Sequence, residues 1–80
     1  MRKFERGLYR HFKGDVYNAY GIAEHSETGE KLVVYQRLND ARWFVRPVEM
    51  FLSKVDKEKY PEAKQEYRFE KVKDNEWLII

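Results

Sequence analysis

The sequence contains no cysteine, which excludes a disulfide scaffold and thiolate metal sites and fits a reducing compartment. It also lacks long apolar runs, since the longest, at residues 32–35 and 77–80, have only four members. The first residues are charged and lead into no apolar stretch. We therefore expect neither secretion nor membrane spanning, and we expect a cytoplasmic location.

Metal-binding spacing is also missing, because the chain has only two histidines and no His-x-x-x-His pair. A metal site would have to combine His11 and His25 with a carboxylate such as Glu27 or Asp15. The sequence therefore predicts no metal site and no cofactor.

The 80 residues are 42% hydrophobic and 16% aromatic, which is enough for one core, so we expect a single domain over residues 1–80. The formal charge of +2 is unevenly distributed. Residues 1–14 carry five basic side chains against Glu5 alone, a net charge of +4. This segment could contact an anionic partner such as nucleic acid, although charged ends are ordinary on proteins.

Alternating apolar residues and turn signals predict a mainly β fold: a small SH3-like antiparallel barrel of about five strands with one short helical turn. The predicted strands cover residues 8–12, 16–25, 32–38, 43–46 and 68–72, with the helical turn at 47–51. The turn should place Met50 or Phe51 on the core. Small side chains at Ala19, Gly21 and Ala23 predict a tight bend in the second strand.

The rest of the chain is less regular. Residues 53–66 are mostly charged and predict either a mobile loop or a turn or two of exposed helix after Pro61. The apolar end would be covered either as a sixth strand, which we favour, or in a weak homodimer. That end comprises Trp77, Leu78, Ile79 and Ile80.

Several short motifs occur together in one order. They are Tyr9-Arg10-His11-Phe12-Lys13-Gly14; Tyr17, Gly21 and Ala23; His25-Ser26-Glu27-Thr28; Val33-Val34-Tyr35; Trp43-Phe44-Val45-Arg46-Pro47; Met50-Phe51; and Arg68-Phe69. With them the chain resembles the domain of unknown function 1653 family of small bacterial proteins, over residues 7–52 and 68–69. The resemblance implies an SH3-like barrel and brings no activity with it. After Phe51 the sequence departs from the family pattern, with a longer charged insert and an extended apolar end.

Polar motif residues that a core does not need form the candidate ligand-binding site, and their cations, imidazoles and hydroxyls suit a phosphate or carboxylate. They are His11, Lys13, His25, Ser26, Glu27, Thr28 and Arg46, with an aromatic wall of Tyr9, Tyr35 and Trp43. We interpret the protein as a non-catalytic binding module and predict that His11, His25 and Arg46 share one surface cavity.

Three alternatives remain open. In the first, the same residues are structural: the histidines form hydrogen bonds at strand ends, Ser26 and Thr28 build a turn, and Glu27 pairs with Arg46. In the second, the protein is a small enzyme acting on a phosphorylated or carboxylated metabolite, which requires a histidine hydrogen-bonded to a hydroxyl or a carboxylate. In the third, exposed aromatic rings bind an extended peptide or single-stranded nucleic acid; salt would weaken only the latter steeply.

Overall fold

Five strands and one short helix make up the fold. The computed structural model describes residues 2–73. Its elements are β1 (Gly7–His11), β2 (Val16–Glu24), β3 (Lys31–Arg37), β4 (Trp43–Pro47), α1 (Val48–Phe51) and β5 (Phe69–Lys71). Every boundary lies within one residue of its predicted position, because alternation and the turns at Gly14 and Gly29 both mark the strand ends.

The strands form one antiparallel sheet in the order β4-β3-β2-β1-β5, which confirms the mainly β class. The predicted closed barrel is not confirmed, because β4 and β5 are the two edges of the sheet and are not paired with each other. The sheet instead curls, so that Tyr35 on β3 lies 5.4 Å from Phe69 on β5, centroid to centroid. Side chains, and not a ladder of hydrogen bonds, thus join β3 to β5 across the concave face.

Aromatic rings fill the concave face of this curled sheet. The core contains Tyr9, Tyr17, Ala19, Val33, Tyr35, Phe51 and Phe69. Phe51 enters from α1, is fully buried, and stacks on Phe69 at 4.1 Å. Of the two residues predicted for this role, Phe51 takes it and Met50 is exposed. Complete burial of such a ring stabilises the fold by roughly 2–3 kcal/mol, so α1 acts as a plug over the sheet.

A β-bulge in β2 changes which residues face the core. Ala19 pairs with Tyr35, but Ile22 pairs with the buried Val33, because the register shifts between Ala19 and Gly21. The even-numbered residues of β2 therefore face the concave side after the bulge. Strict alternation along β2 would place Gly21 on the same face as Ala19, and the extra residue at the bulge breaks that alternation. The bend itself occurs at the small side chains where it was predicted.

Residues 53–67 form turns and one isolated bridge between Lys54 and Tyr67, with no helix among them. The predicted helical turns after Pro61 are therefore absent from this part of the chain. The predicted sixth strand or interface at residues 77–80 lies outside the described residues. Across residues 2–73, no helix has the length and apolar character needed to cross a membrane.

Candidate functional site

Three basic side chains lie in the region where the sheet curls towards itself, and the charges of Arg68 and Arg46 both act on His11. His11 ends β1 and pairs with Phe69 of β5, which Arg68 directly precedes. Arg46 of β4 pairs with the buried Val33 and therefore projects from the concave face. We call His11, Arg46 and Arg68 the seam cluster, because they lie along the unpaired seam between β4 and β5.

The His11 ring is half-buried among aromatic rings. Its centroid lies 4.5 Å from that of Phe12, 4.9 Å from that of Phe69 and 6.3 Å from that of Tyr17. The backbone N–H of Lys13 donates to His11 Nδ1 at 3.1 Å. A neutral imidazole has one donor and one acceptor nitrogen, so this bond assigns the proton of neutral His11 to Nε2.

The surroundings of His11 oppose its protonation. Burial is the largest cause, and the charges of Arg68, Arg46 and Lys13 add to it, against an opposing effect from Asp15. Together they lower the pKa of His11 from 6.5 to about 4. At neutral pH the ring is therefore uncharged, and its Nε2–H is a neutral donor beside two permanent cations.

Neither arginine of the cluster has an acidic partner within the part of the chain that the structure describes. The ion pairs among residues 2–73 are Glu24–Lys31, Asp15–Arg37, Arg37–Asp40 and Lys54–Glu66, so none includes Arg46 or Arg68. Arg46 Nε donates to the Tyr35 hydroxyl at 3.3 Å, and Arg68 Nε makes a long 3.5 Å contact with Ser53 Oγ. In this part of the chain, no acceptor takes a hydrogen bond from their terminal nitrogens.

Arg37 shows what a satisfied arginine looks like in the same sheet. Its Nη2 lies 2.7 Å from Asp40 Oδ2, and its Nη1 lies 3.7 Å from Asp15 Oδ2. The hydrogen bond from Arg37 lowers the pKa of Asp40 to about 2. Arg46 and Arg68 are likewise partly buried, yet no carboxylate offsets their charges among the described residues. Their free donors are suited to a phosphate or carboxylate.

The other predicted histidine stabilises a turn. His25 Nδ1 accepts the backbone N–H groups of Glu27 at 3.2 Å and Thr28 at 3.3 Å. The Thr28 hydroxyl accepts the N–H of Glu30 at 3.2 Å. All of these residues, with Ser26, are exposed. This agrees with the structural alternative for the turn, although the Glu27–Arg46 pair of that alternative is not among the ion pairs of residues 2–73.

The structure brings only part of the predicted site together. His11 lies before the β1–β2 turn and His25 lies after β2, so the nine residues of β2, a strand length of about 30 Å, separate them. Arg46 is close enough to His11 to affect its pKa, and Lys13 adjoins it. His25, Ser26, Glu27 and Thr28 form their own turn at the other end of β2.

The predicted aromatic wall is also divided. Tyr9 and Tyr35 are buried in the core, and burial raises the pKa of Tyr9, whose hydroxyl donates to the Glu5 carbonyl at 2.6 Å. Trp43 is 58% exposed and lies on the convex face, 4.9 Å from the exposed Tyr20 ring. Of the predicted wall, only Tyr35 contacts the seam cluster, through its bond from Arg46.

A cleft of about 970 Å³ lies away from the seam cluster, and no residue predicted for the site lines it. This open cleft has Ile22, Val48 and Leu52 among its apolar lining residues. Two of its cations, Lys31 and Lys54, already pair with carboxylates. A third, Arg2, donates to the carbonyls of Leu52 and Phe69. Despite its size, the cleft therefore offers an anion fewer available hydrogen-bond donors than the seam cluster does.

Sequence reasoning missed Arg68 as a site residue, although the Arg68-Phe69 motif carried a signal for it. It also missed the contact between Phe12 and Tyr60, whose rings lie 4.9 Å apart, because nothing in the charged insert marks its partner directly after β1. Within residues 2–73, no three His, Cys, Asp or Glu side chains are grouped so that they could hold a metal ion.

These observations define a small, mainly β domain whose open, curled sheet carries a basic cluster on its seam, with no ion pair to either arginine among residues 2–73. A model of the family described as "Protein of unknown function (DUF1653)" matches residues 7–71. The chain belongs to this family. The crystal structure of a family member from Bordetella bronchiseptica is similar, with 37% sequence identity and a TM-score of 0.74 over 90% of this chain and 91% of that one. Among curated proteins, none matches.

Proposed function

We propose that this protein is a non-catalytic binding module that holds an anionic group, a phosphate or carboxylate, at the seam cluster of His11, Arg46 and Arg68. The observation that carries the proposal is that Arg46 and Arg68 are partly buried residues without a carboxylate partner among residues 2–73. Partly burying a charge without a counter-charge is unfavourable, and a bound anion would remove that penalty.

The hydrogen-bond donors around the cluster support the same conclusion. Each guanidinium has five N–H groups, and the described bonds use only the Nε–H of Arg46 and of Arg68. His11 Nε2–H adds a neutral donor, because Nδ1 is already occupied by the Lys13 N–H. Two terminal guanidinium edges and one imidazole donor suit the several acceptor oxygens of a phosphate.

Within residues 2–73, the lack of a nucleophile beside a base supports binding without catalysis. A hydrolytic site needs a hydroxyl or carboxylate in contact with a histidine. In residues 2–73 both histidines accept backbone N–H groups at Nδ1, and neither a Ser or Thr hydroxyl nor a carboxylate is hydrogen-bonded to either ring. The alternative of a small metabolite-modifying enzyme gains no specific observation.

The test is a titration with inorganic phosphate, followed by two-dimensional NMR of the backbone and histidine side chains at constant ionic strength. We expect shifts centred on His11, Arg46 and Arg68. Replacing Arg46→Gln or Arg68→Gln should weaken binding about 10- to 100-fold, because a charge-assisted hydrogen bond contributes roughly 1.5–3 kcal/mol.

Arg6→Gln is the matched control, because Arg6 is exposed and precedes β1, at the opposite end of that strand from His11. It removes the same charge and should leave phosphate affinity within about twofold, as expected for a screened distant charge. If phosphate produced no shifts at His11, or if Arg6→Gln weakened binding as much as Arg46→Gln, the proposal would be wrong.

A further inference from the structure

An aromatic pair lies directly beside the seam cluster. We propose that this pair takes the base of a nucleotide, so that the anion held by the cluster is a phosphate attached to a nucleoside. The inference rests on the proposed function and specifies its ligand. The pair consists of Phe12, which follows β1, and Tyr60 from the charged insert, with ring centroids 4.9 Å apart and ring planes 58° apart.

The position of Tyr60 is fixed by its own loop. Its backbone N–H donates to the Asp56 carbonyl at 2.8 Å, and its carbonyl accepts the Ala63 N–H at 3.1 Å. Lys57 Nζ closes the loop by donating to the carbonyls of Ala63 at 2.6 Å and Gln65 at 2.9 Å. The ring is therefore carried on an ordered backbone, so little backbone freedom is lost when a base stacks on it, which favours binding.

Both rings are partly exposed and border a shallow cavity of about 280 Å³. Pro61 and Glu62 also line this cavity, so its walls combine apolar surface with one carboxylate. Aromatic faces of this kind stack on any base. The carboxylate opposes phosphate in the cavity itself, which places the phosphate towards the cluster and the base against the rings.

Flexible cations surround the rings. Lys13 Nζ lies 5.1 Å from the centroid of Tyr60 and 5.9 Å from that of Phe12, and Lys59 Nζ lies 5.5 Å from Tyr60. Neither lysine takes part in an ion pair among residues 2–73. Each can therefore move from the ring face to a phosphate oxygen when a base takes its place.

The rings and the cluster form one continuous surface. The Phe12 centroid lies 4.5 Å from that of His11, and the Phe12 N–H donates to the Arg68 carbonyl at 3.0 Å. Phosphate donors and a stacking surface thus lie one residue apart along the chain. This is the combination by which proteins bind an unpaired base together with its phosphate.

The experiment compares the affinity of the full chain for adenosine 5′-monophosphate, adenosine and inorganic phosphate by calorimetry at constant ionic strength. Base stacking contributes roughly 1–3 kcal/mol, so the monophosphate should bind about 5- to 100-fold more tightly than phosphate. Adenosine alone should bind at least fivefold more weakly than its monophosphate, because it lacks the group that the cluster holds.

Tyr60→Leu is the decisive variant, since it keeps an apolar side chain of similar size but removes the aromatic face. It should reduce the preference for the monophosphate over phosphate to less than twofold without changing the affinity for phosphate. Tyr60→Phe is the matched control and should keep the preference. Lys59→Gln, an exposed substitution that leaves the rings intact, should weaken monophosphate binding about two- to fivefold, as a single partly screened charge does.

A further arm distinguishes a free nucleotide from a single strand. Hexathymidylate binding more tightly than thymidine 5′-monophosphate, with an affinity that falls steeply with salt, identifies a strand as the source. Equal affinities identify the free nucleotide. If the monophosphate binds no more tightly than phosphate, or Tyr60→Leu leaves the preference intact, the nucleotide inference is wrong and the anion site stands. If neither compound binds, both proposals are wrong.

Discussion

The two histidines share one local hydrogen-bonding pattern and differ in everything around it. In both, Nδ1 accepts a backbone N–H from two residues further along the chain, Lys13 for His11 and Glu27 for His25. His25 is exposed, and the hydrogen bonds of its ring stay within its own turn. His11 is packed on Phe69, and arginine charges from both sheet edges disfavour its protonation. A local hydrogen-bonding motif therefore builds each turn, whereas the tertiary neighbours of His11 make its turn alone a candidate anion site.

The largest effect is expected from removing the Phe69 ring, on which His11 packs. Phe69→Ala should cost about 3–5 kcal/mol of the free energy of unfolding, because the buried ring contacts His11, Tyr17 and Phe51 and its loss leaves a cavity. Urea denaturation followed by tryptophan fluorescence measures this loss. Phe69→Leu is the matched variant and should cost less than half as much. Equal costs would mean that the core does not depend on this ring.

The second prediction concerns pH. Because the pKa of His11 is lowered to about 4 in the folded protein and is 6.5 ordinarily, the unfolded chain binds more protons between these values. Stability should therefore fall as pH decreases from 6.5 towards 4, by up to about 1.4 kcal/mol per pH unit from this group, and this contribution should level off below pH 4.

His11→Asn tests that slope. Its side-chain oxygen can still accept the Lys13 N–H, but it does not titrate, so urea denaturation at several pH values should give a flatter profile between pH 4 and 6.5. His25→Asn is the control, because that ring is exposed and its replacement removes no buried group. A parent slope that survives in His11→Asn would contradict the assignment to His11.

The smallest effect belongs to the other turn. His25→Ala should cost about 0.5–1.5 kcal/mol, because the ring accepts N–H groups that water can partly replace in an exposed turn. His25→Asn should restore most of this, and neither variant should alter phosphate binding. Thermal unfolding and the phosphate titration measure the two results. Loss of phosphate binding in His25→Ala would mean that the two turns form one site, as the sequence predicted.

The fold was largely predictable, and the reason lies in local signals. Gly14, Gly29 and Pro47 mark where strands end, and the alternation of apolar and polar residues between them predicts where each strand runs. The bulge between Ala19 and Gly21 was not predictable in position, because several small residues in a row would accommodate it equally well. Barrel closure was also beyond prediction, since it depends on long-range pairing between β4 and β5.

The candidate site was predictable only in part. His11, Lys13 and Arg46 were identified as polar residues that the core does not require, and the structure brings them to one region. His25 was predicted to lie near them, which would require both ends of β2 to come together. It lies instead at the other end of that strand. Tyr60 lies within the charged insert and Arg68 directly follows it. Which strand each of them approaches depends on the path of residues 53–67. Sequence periodicity carries no information on that path.

The most direct test of the account is the pKa of His11, measured from its ring resonances by NMR with and without saturating inorganic phosphate. The account predicts a pKa near 4 in the free protein. It also predicts a rise on phosphate binding, because the anion offsets the charges of Arg46 and Arg68 and favours the protonated ring. A His11 pKa that starts near 6.5 and is unchanged by phosphate would contradict both the environment and the function assigned to the seam cluster.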